Sequence, residues 1–201
     1  MSVSRNRIKC ILSVALTCVT LLLGCGEKEV TGETGKSILS DGSLEATIVR
    51  DFDESLYSVS ELEAMMNSEV SEYNASHGAG SVNVVSVGCE NNKVTAVMNY
   101  ESDEAYSEFN GRFFTHESYD EAVADGTIKV SMRDAANLEQ VDAADISGGD
   151  KMDVIVTDEV GYLTFPGKVR YISDGVLVIT GKQVLVSDEM DGLAYIVYSR
   201  K

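Results

Sequence analysis

From Met152 to the C-terminus, turn chemistry breaks the chain too often for any helix to form. Met152–Thr157, Tyr162–Phe165, Val169–Ile172, Val176–Thr180, Gln183–Val186 and Leu193–Tyr198 are short runs rich in valine, isoleucine and tyrosine. Between them stand Glu159-Val160-Gly161, Pro166-Gly167, Asp174-Gly175, Gly181-Lys182 and Asp191-Gly192. Glycine supplies backbone angles that other residues avoid, and Pro-Gly and Asp-Gly pairs favour reversal. β-branched and aromatic residues between such turns predict strands. Connections this short predict an antiparallel meander, because parallel neighbours need long crossovers. Val176–Ile179 and Leu193–Val197 are apolar at successive positions, which predicts central strands covered on both faces.

The preceding stretch has a different rhythm. Leu44–Phe52 alternates as a strand, with Leu44, Ala46 and Ile48 on one face. Ser58 and Ser60 are candidate N-caps, with Glu61 and Glu63 placed to close a capping box. Behind them Val59, Leu62, Met66, Val70 and Tyr73 recur at helical spacing, and Met65-Met66 reads as core filler. Asn74–Gly80 supplies the stop, with Gly78 as a left-handed cap. Val82–Tyr100 reads as a hairpin about Glu90-Asn91-Asn92. Short helices over Ser102–Asn110 and Ser118–Asp125 flank a strand at Arg112–Thr115, and Asp134–Gly149 is polar and patternless.

The fold class this predicts is α+β. A strand–helix–hairpin N-terminal half and an antiparallel β-meander C-terminal half pack around one long helix, Val59–Tyr73. The expected domain spans residues 44–201, with two possible lobes, 44–126 and 127–201.

Charge narrows the partners. The chain carries 33 acidic residues against 16 lysines and arginines, a net −17. Nucleic-acid binding depends on cations that neutralise phosphate, so this balance argues against it. An anionic membrane face is repelled too, whereas a basic peptide or divalent cation is attracted.

At the other end of the chain, Arg5, Arg7 and Lys9 precede an uncharged run, Cys10–Leu23, then Gly24 and Cys25. A cationic region, a short apolar stretch and a small residue before the cut are the parts of an export signal. The run falls short of the roughly 20 apolar residues of a spanning helix. Leu22-Leu23-Gly24-Cys25 resembles the lipobox of bacterial lipoprotein precursors. The resemblance implies cleavage of residues 1–24 and a diacylglyceryl thioether on Cys25, with palmitate-type chains. Losing three basic residues takes the mature charge from −17 to −20. Residues 25–43, polar and glycine-containing, read as a flexible tether. Cys10 and Cys18 leave with the leader and Cys25 is taken by lipid, so Cys89 has no disulfide partner within the chain.

Further segments, Leu44–Asp53 (LEATIVRDFD), Phe165–Ser173 (FPGKVRYIS) and GLAYIVY near the end, resemble small uncharacterised lipoproteins of Gram-positive gut bacteria. That resemblance implies a cell with one membrane and carries no catalytic residue.

Catalytic candidates are sparse. His77 falls in the Asn74–Gly80 stop and reads as a solvated loop residue; His116 precedes a helix start and reads as a local cap or pair. Cys89 has no helix N-terminus to lower its pKa and reads as a small buried residue. Neither Asp188, Glu189 and Asp191 nor Asp145, Asp150 and Asp153 matches a calcium loop. Gly35-Lys36-Ser37 imitates the end of a P-loop, but Val30 stands where its first glycine belongs. No G-x-S-x-G, H-E-x-x-H or S-x-x-K motif occurs.

No catalytic residue, cofactor or metal is expected. The sequence predicts a lipid-anchored lipoprotein on the outer face of the bacterial cytoplasmic membrane. It reads as a non-enzymatic binding or accessory protein with an envelope protein or peptide partner, the alternative being an envelope hydrolase working through acidic residues.

Overall fold

A computed structural model describes residues 29–200, in which two β-sheets lie face to face. The lipobox and Cys25 lie outside the described residues. In chain order the elements are β1 (Gly35–Ile38), β2 (Leu44–Asp51), α1 (Val59–His77), β3 (Val82–Glu90), β4 (Lys93–Tyr100), α2 (Asp103–Asn110), β5 (Phe114–Ser118) and α3 (Tyr119–Ala124). There follow β6 (Met132–Asp134), β7 (Gln140–Val141), two 3-10 turns, β8 (Met152–Thr157), β9 (Gly161–Thr164), β10 (Val169–Ile172), β11 (Val176–Thr180), β12 (Gln183–Val186) and β13 (Ala194–Ser199).

One sheet has seven strands in the order β11-β12-β9-β1-β2-β4-β3; the other has six, β5-β8-β13-β10-β6-β7. The expected α+β meander around a helix is therefore corrected to a predominantly β molecule. The C-terminal strands do not form one meander. β8, β10 and β13 enter the six-stranded sheet, whereas β9, β11 and β12 enter the seven-stranded one. Short turns permit this because a chain that steps between two stacked sheets needs no long connection either.

The sheets meet over one apolar cluster. It takes Ile38, Leu44, Met98 and Leu163 from one sheet, and Phe114, Ile155, Ile196 and Tyr198 from the other. Residues from both expected lobes thus share a core. The second cluster lies on the far side of the six-stranded sheet, where Val154, Val156, Tyr195 and Val197 are covered by Tyr119, Ala122, Met132 and Ile146. β13 is therefore central and covered on both faces. β11, read the same way from its sequence, is an edge strand with Leu177 exposed.

Helix α1 is accessory. Ser58 caps it by accepting from Glu61 N, and Gly78 ends it at φ 117°, ψ 142°, outside the left-handed helical region expected. Of its side chains only Val70 is buried, packing with Val82 at the edge hairpin. Met66 and Tyr73 are half-buried against the core, while Met65 is exposed. The hairpin itself is tight: Glu90 pairs with Lys93 across Asn91 and Asn92, whose φ values of 53° and 60° suit asparagine.

The segment 25–43 is not all tether. Gly35–Ile38 is a strand in the middle of the seven-stranded sheet, antiparallel to β2 and parallel to β9. Gly35 is required there, because an added Cβ would sit 2.9 Å from the Tyr162 carbonyl oxygen. Ile38→Ala removes a side chain 3% exposed at this junction. It is expected to lower unfolding free energy by about 2–5 kcal/mol. Leu177→Ala on the exposed edge should change it by less than about 0.5 kcal/mol, and urea titration separates the two.

Candidate functional site

Alternation along β1 turns Lys36 and Ile38 to the same side, the inner face between the sheets. Lys36 stands opposite Ala46 on β2 and Leu163 on β9, both buried. The small Ala46 side chain leaves room beside the lysine stem. A lysine so placed loses hydration and needs a counter-charge. Glu159, between β8 and β9, provides it: Lys36 Nζ lies 3.2 Å from Glu159 Oε2, with the lysine side chain only 9% exposed. Tyr106 on α2 donates its hydroxyl to the other oxygen, Oε1, at 2.7 Å. Glu159 N donates to the Oγ1 of buried Thr157, which fixes the loop. The ammonium also sits 5.4 Å from the Tyr106 ring centroid and 5.9 Å from that of Phe114, within reach of both π-faces.

Burial pulls Lys36 below the ordinary lysine value, while Glu159 and then Asp158 pull the other way. Burial, with the hydrogen bond to Glu159, pushes the Tyr106 phenol well above its ordinary range. Tyr100, edge-on to Tyr106 at 4.9 Å, is also raised by burial.

Above this cluster opens a cavity of about 530 Å³. Arg50 from β2, Arg112 from the α2–β5 link, Asp158, Tyr100 and Asn110 are part of its charged and polar lining. Arg50 Nη1 donates to Thr34 Oγ1 and to the Val49 carbonyl. Asp158 Oδ1 accepts from Phe113 N at 3.3 Å.

The residues singled out from the sequence do not converge. His116 lies on the inner face of β5, not in a local cap. Its Nε2 is 2.8 Å from the Tyr198 hydroxyl and 3.6 Å from Asp153 Oδ2, and Arg200 Nε holds Asp153 Oδ1 at 2.7 Å. This second cluster borders a cavity of about 210 Å³ that also touches Leu39 and Gly42. His77 belongs to the last turn of α1, stacked on Tyr73 at 3.9 Å and 3.3 Å from Glu108. Cys89 is half-buried on β3, its thiol raised by burial and by Glu54, and it joins neither histidine's hydrogen bonds. Among the described residues, no group of three acidic, histidine or cysteine side chains forms an arrangement to hold a metal, the two carboxylate runs included.

Sequence reasoning passed over Lys36. Gly35-Lys36-Ser37 is strand, not phosphate loop, and its usable signal was the Lys36/Ile38 alternation inside a segment that looked too polar to fold. No protein-family model matches the chain, and no curated protein or solved structure matches it either.

Two outcomes are expected. Glu159→Gln leaves the Lys36 ammonium unpaired and should destabilise toward the lower end of about 3–5 kcal/mol, since the cavity admits water. The pair Lys36→Met with Glu159→Leu should recover most of that loss in the same denaturation assay.

The pH response divides by residue. A tyrosine raised in the fold keeps a proton that the unfolded chain gives up near 10, so stability falls as pH rises past that value. Lysine lowered in the fold does the reverse: the unfolded chain binds the extra proton, so stability rises toward 10.5. Between about pH 8 and about pH 11, Tyr106→Phe should lose less stability than the parent and Lys36→Met more, read as urea midpoints.

Proposed function

We propose that the protein is a lipid-anchored extracytoplasmic lipoprotein that binds a ligand without transforming it, held through Cys25 to the outer face of a bacterial cytoplasmic membrane. The observation that carries the binding part is the cavity over Lys36. It is walled by charged side chains from four parts of the chain, and its deepest carboxylate, Glu159, has both oxygens engaged. Such a site is built to hold charge in place. The alternative, a hydrolase working through paired acidic residues, needs two free carboxylates together, one to take a proton and one to give it. This cavity is lined by one untied carboxylate, Asp158, beside the tied Glu159. Glu159 is tied by Lys36 and Tyr106, and Asp153 by Arg200.

Anchoring has a geometric consequence. Val30 N donates to Gln183 Oε1 at 2.8 Å, and Gln183 Nε2 donates back to the Val30 carbonyl at 2.9 Å. An extended chain covers about 3.3–3.6 Å per residue, so a thioether on Cys25 lies within about 17 Å of Val30. On this reading the outer face of the seven-stranded sheet, around Gln183, lies next to the membrane and the tether is short. Among the described residues no helix is long and apolar enough to cross a membrane.

Cells expressing the full chain and fed labelled palmitate should carry label in the wild type and none in Cys25→Ala. Equal labelling, or no label in either, sinks the anchoring claim.

A further inference from the structure

Two cations and one anion at the Lys36 cavity are left without an ion-pair partner. Lys36 and Glu159 satisfy each other, but Arg50, Arg112 and Asp158 have no ionic partner among the described residues. In a chain with twice as many acidic as basic residues, an arginine has carboxylates in abundance to choose from. Arg133 and Arg200 each take one, Asp174 and Asp153, while Arg170, away from this cavity, takes none among the described residues. Arg50 turns only Nη1 to neutral acceptors, Thr34 and Val49, so Nε and Nη2 remain unused among the described residues. The Arg112 side chain makes no hydrogen bond among them.

Arg50 and Lys36 share the inner face of the sheet, since Arg50 continues the row of Ala46 and Ile48. Arg112 and Asp158 lie on the other wall, where Asp158 bonds Phe113, the neighbour of Arg112. The unspent charge is two guanidiniums and one carboxylate.

Resting on the binding reading above, we propose that this cavity takes an acidic amino acid, free or ending a short peptide. Its two carboxylates meet Arg50 and Arg112, and Asp158 meets the ammonium, which is the amino acid's own when free and that of the preceding N-terminal residue in a dipeptide. Guanidinium binds carboxylate through two parallel hydrogen bonds, which favours carboxylate over a point-charge contact. Asp158 disfavours a plain dianion such as phosphate or succinate, because nothing on it answers the carboxylate. Cavity volume is adequate for a ligand of this size.

The test is calorimetric titration of the full chain, extracted in detergent, with L-glutamate, alanyl-glutamate, L-glutamine, succinate and inorganic phosphate. L-Glutamate or alanyl-glutamate should bind, the tighter of the two naming the source, and L-glutamine about tenfold more weakly. Arg50→Ala and Arg112→Ala should each weaken binding about tenfold or more. Asp158→Asn should weaken the amino-acid ligand by a similar factor and strengthen succinate, which no longer meets a repelling carboxylate. All three side chains sit on exposed residues, and unchanged melting temperatures confirm that the variants fold.

The proposal falls if neither glutamyl ligand binds, if both arginine variants bind as well as the parent, or if succinate or phosphate binds more tightly. Should the glutamyl ligands be silent while a different small molecule raises the melting temperature, this ligand class fails and the binding reading survives. Should no ligand do so, both fail.

Discussion

The pairing of β1 on both of its edges is the contact on which the rest of the molecule depends. Four residues, Gly35–Ile38, hydrogen-bond antiparallel to β2 on one side and parallel to β9 on the other. Without them the seven-stranded sheet would be two separate pieces, β11-β12-β9 and β2-β4-β3, each with an exposed edge. The junction tolerates little at position 35, where the Tyr162 backbone crowds the glycine. It also carries Ile38 into the shared core, so one strand supplies backbone continuity and apolar burial at once.

Joining the halves through such a strand places a cation where a sandwich ordinarily keeps aliphatic side chains. Alternation makes this unavoidable: if Ile38 faces inward, so does Lys36. The cost of dehydrating that ammonium is offset by Glu159, by the hydroxyl of Tyr106 on the same carboxylate, and by two aromatic faces. A buried pair of this kind is weak support for stability but strict about geometry. It ties β1, α2 and the β8–β9 loop to one point, and the cavity opens at that point. Structure and site therefore share a cause.

The helices play a smaller part than their periodicity suggests. The stripe on α1 is real, yet the six-stranded sheet already covers the centre of the other sheet, leaving only the β3 edge for the helix to shield. Most of α1 faces water, in keeping with its many glutamates. On the opposite side α3 and the irregular stretch around Ile146 cover the outer face of the six-stranded sheet, which explains why β13 is apolar on both faces. β11 has the same apolar composition and lies at an edge. Apolarity on two faces therefore did not by itself reveal which strand was central.

What the amino-acid order determined alone was local. Strand and turn positions from Met152 onward, the Asn91-Asn92 reversal and the Ser58 cap all follow from short-range backbone preferences. Tertiary structure decided which strand joined which sheet, because pairing partners lie far apart in the chain and several apolar strands could compete for each edge. It also decided the site. Lys36, Tyr106 and Glu159 are scattered through polar or mixed segments with no common spacing, and His116 meets Tyr198 across 82 residues. No local pattern encodes such meetings, since they exist only once the two sheets have closed on each other and removed the water between them.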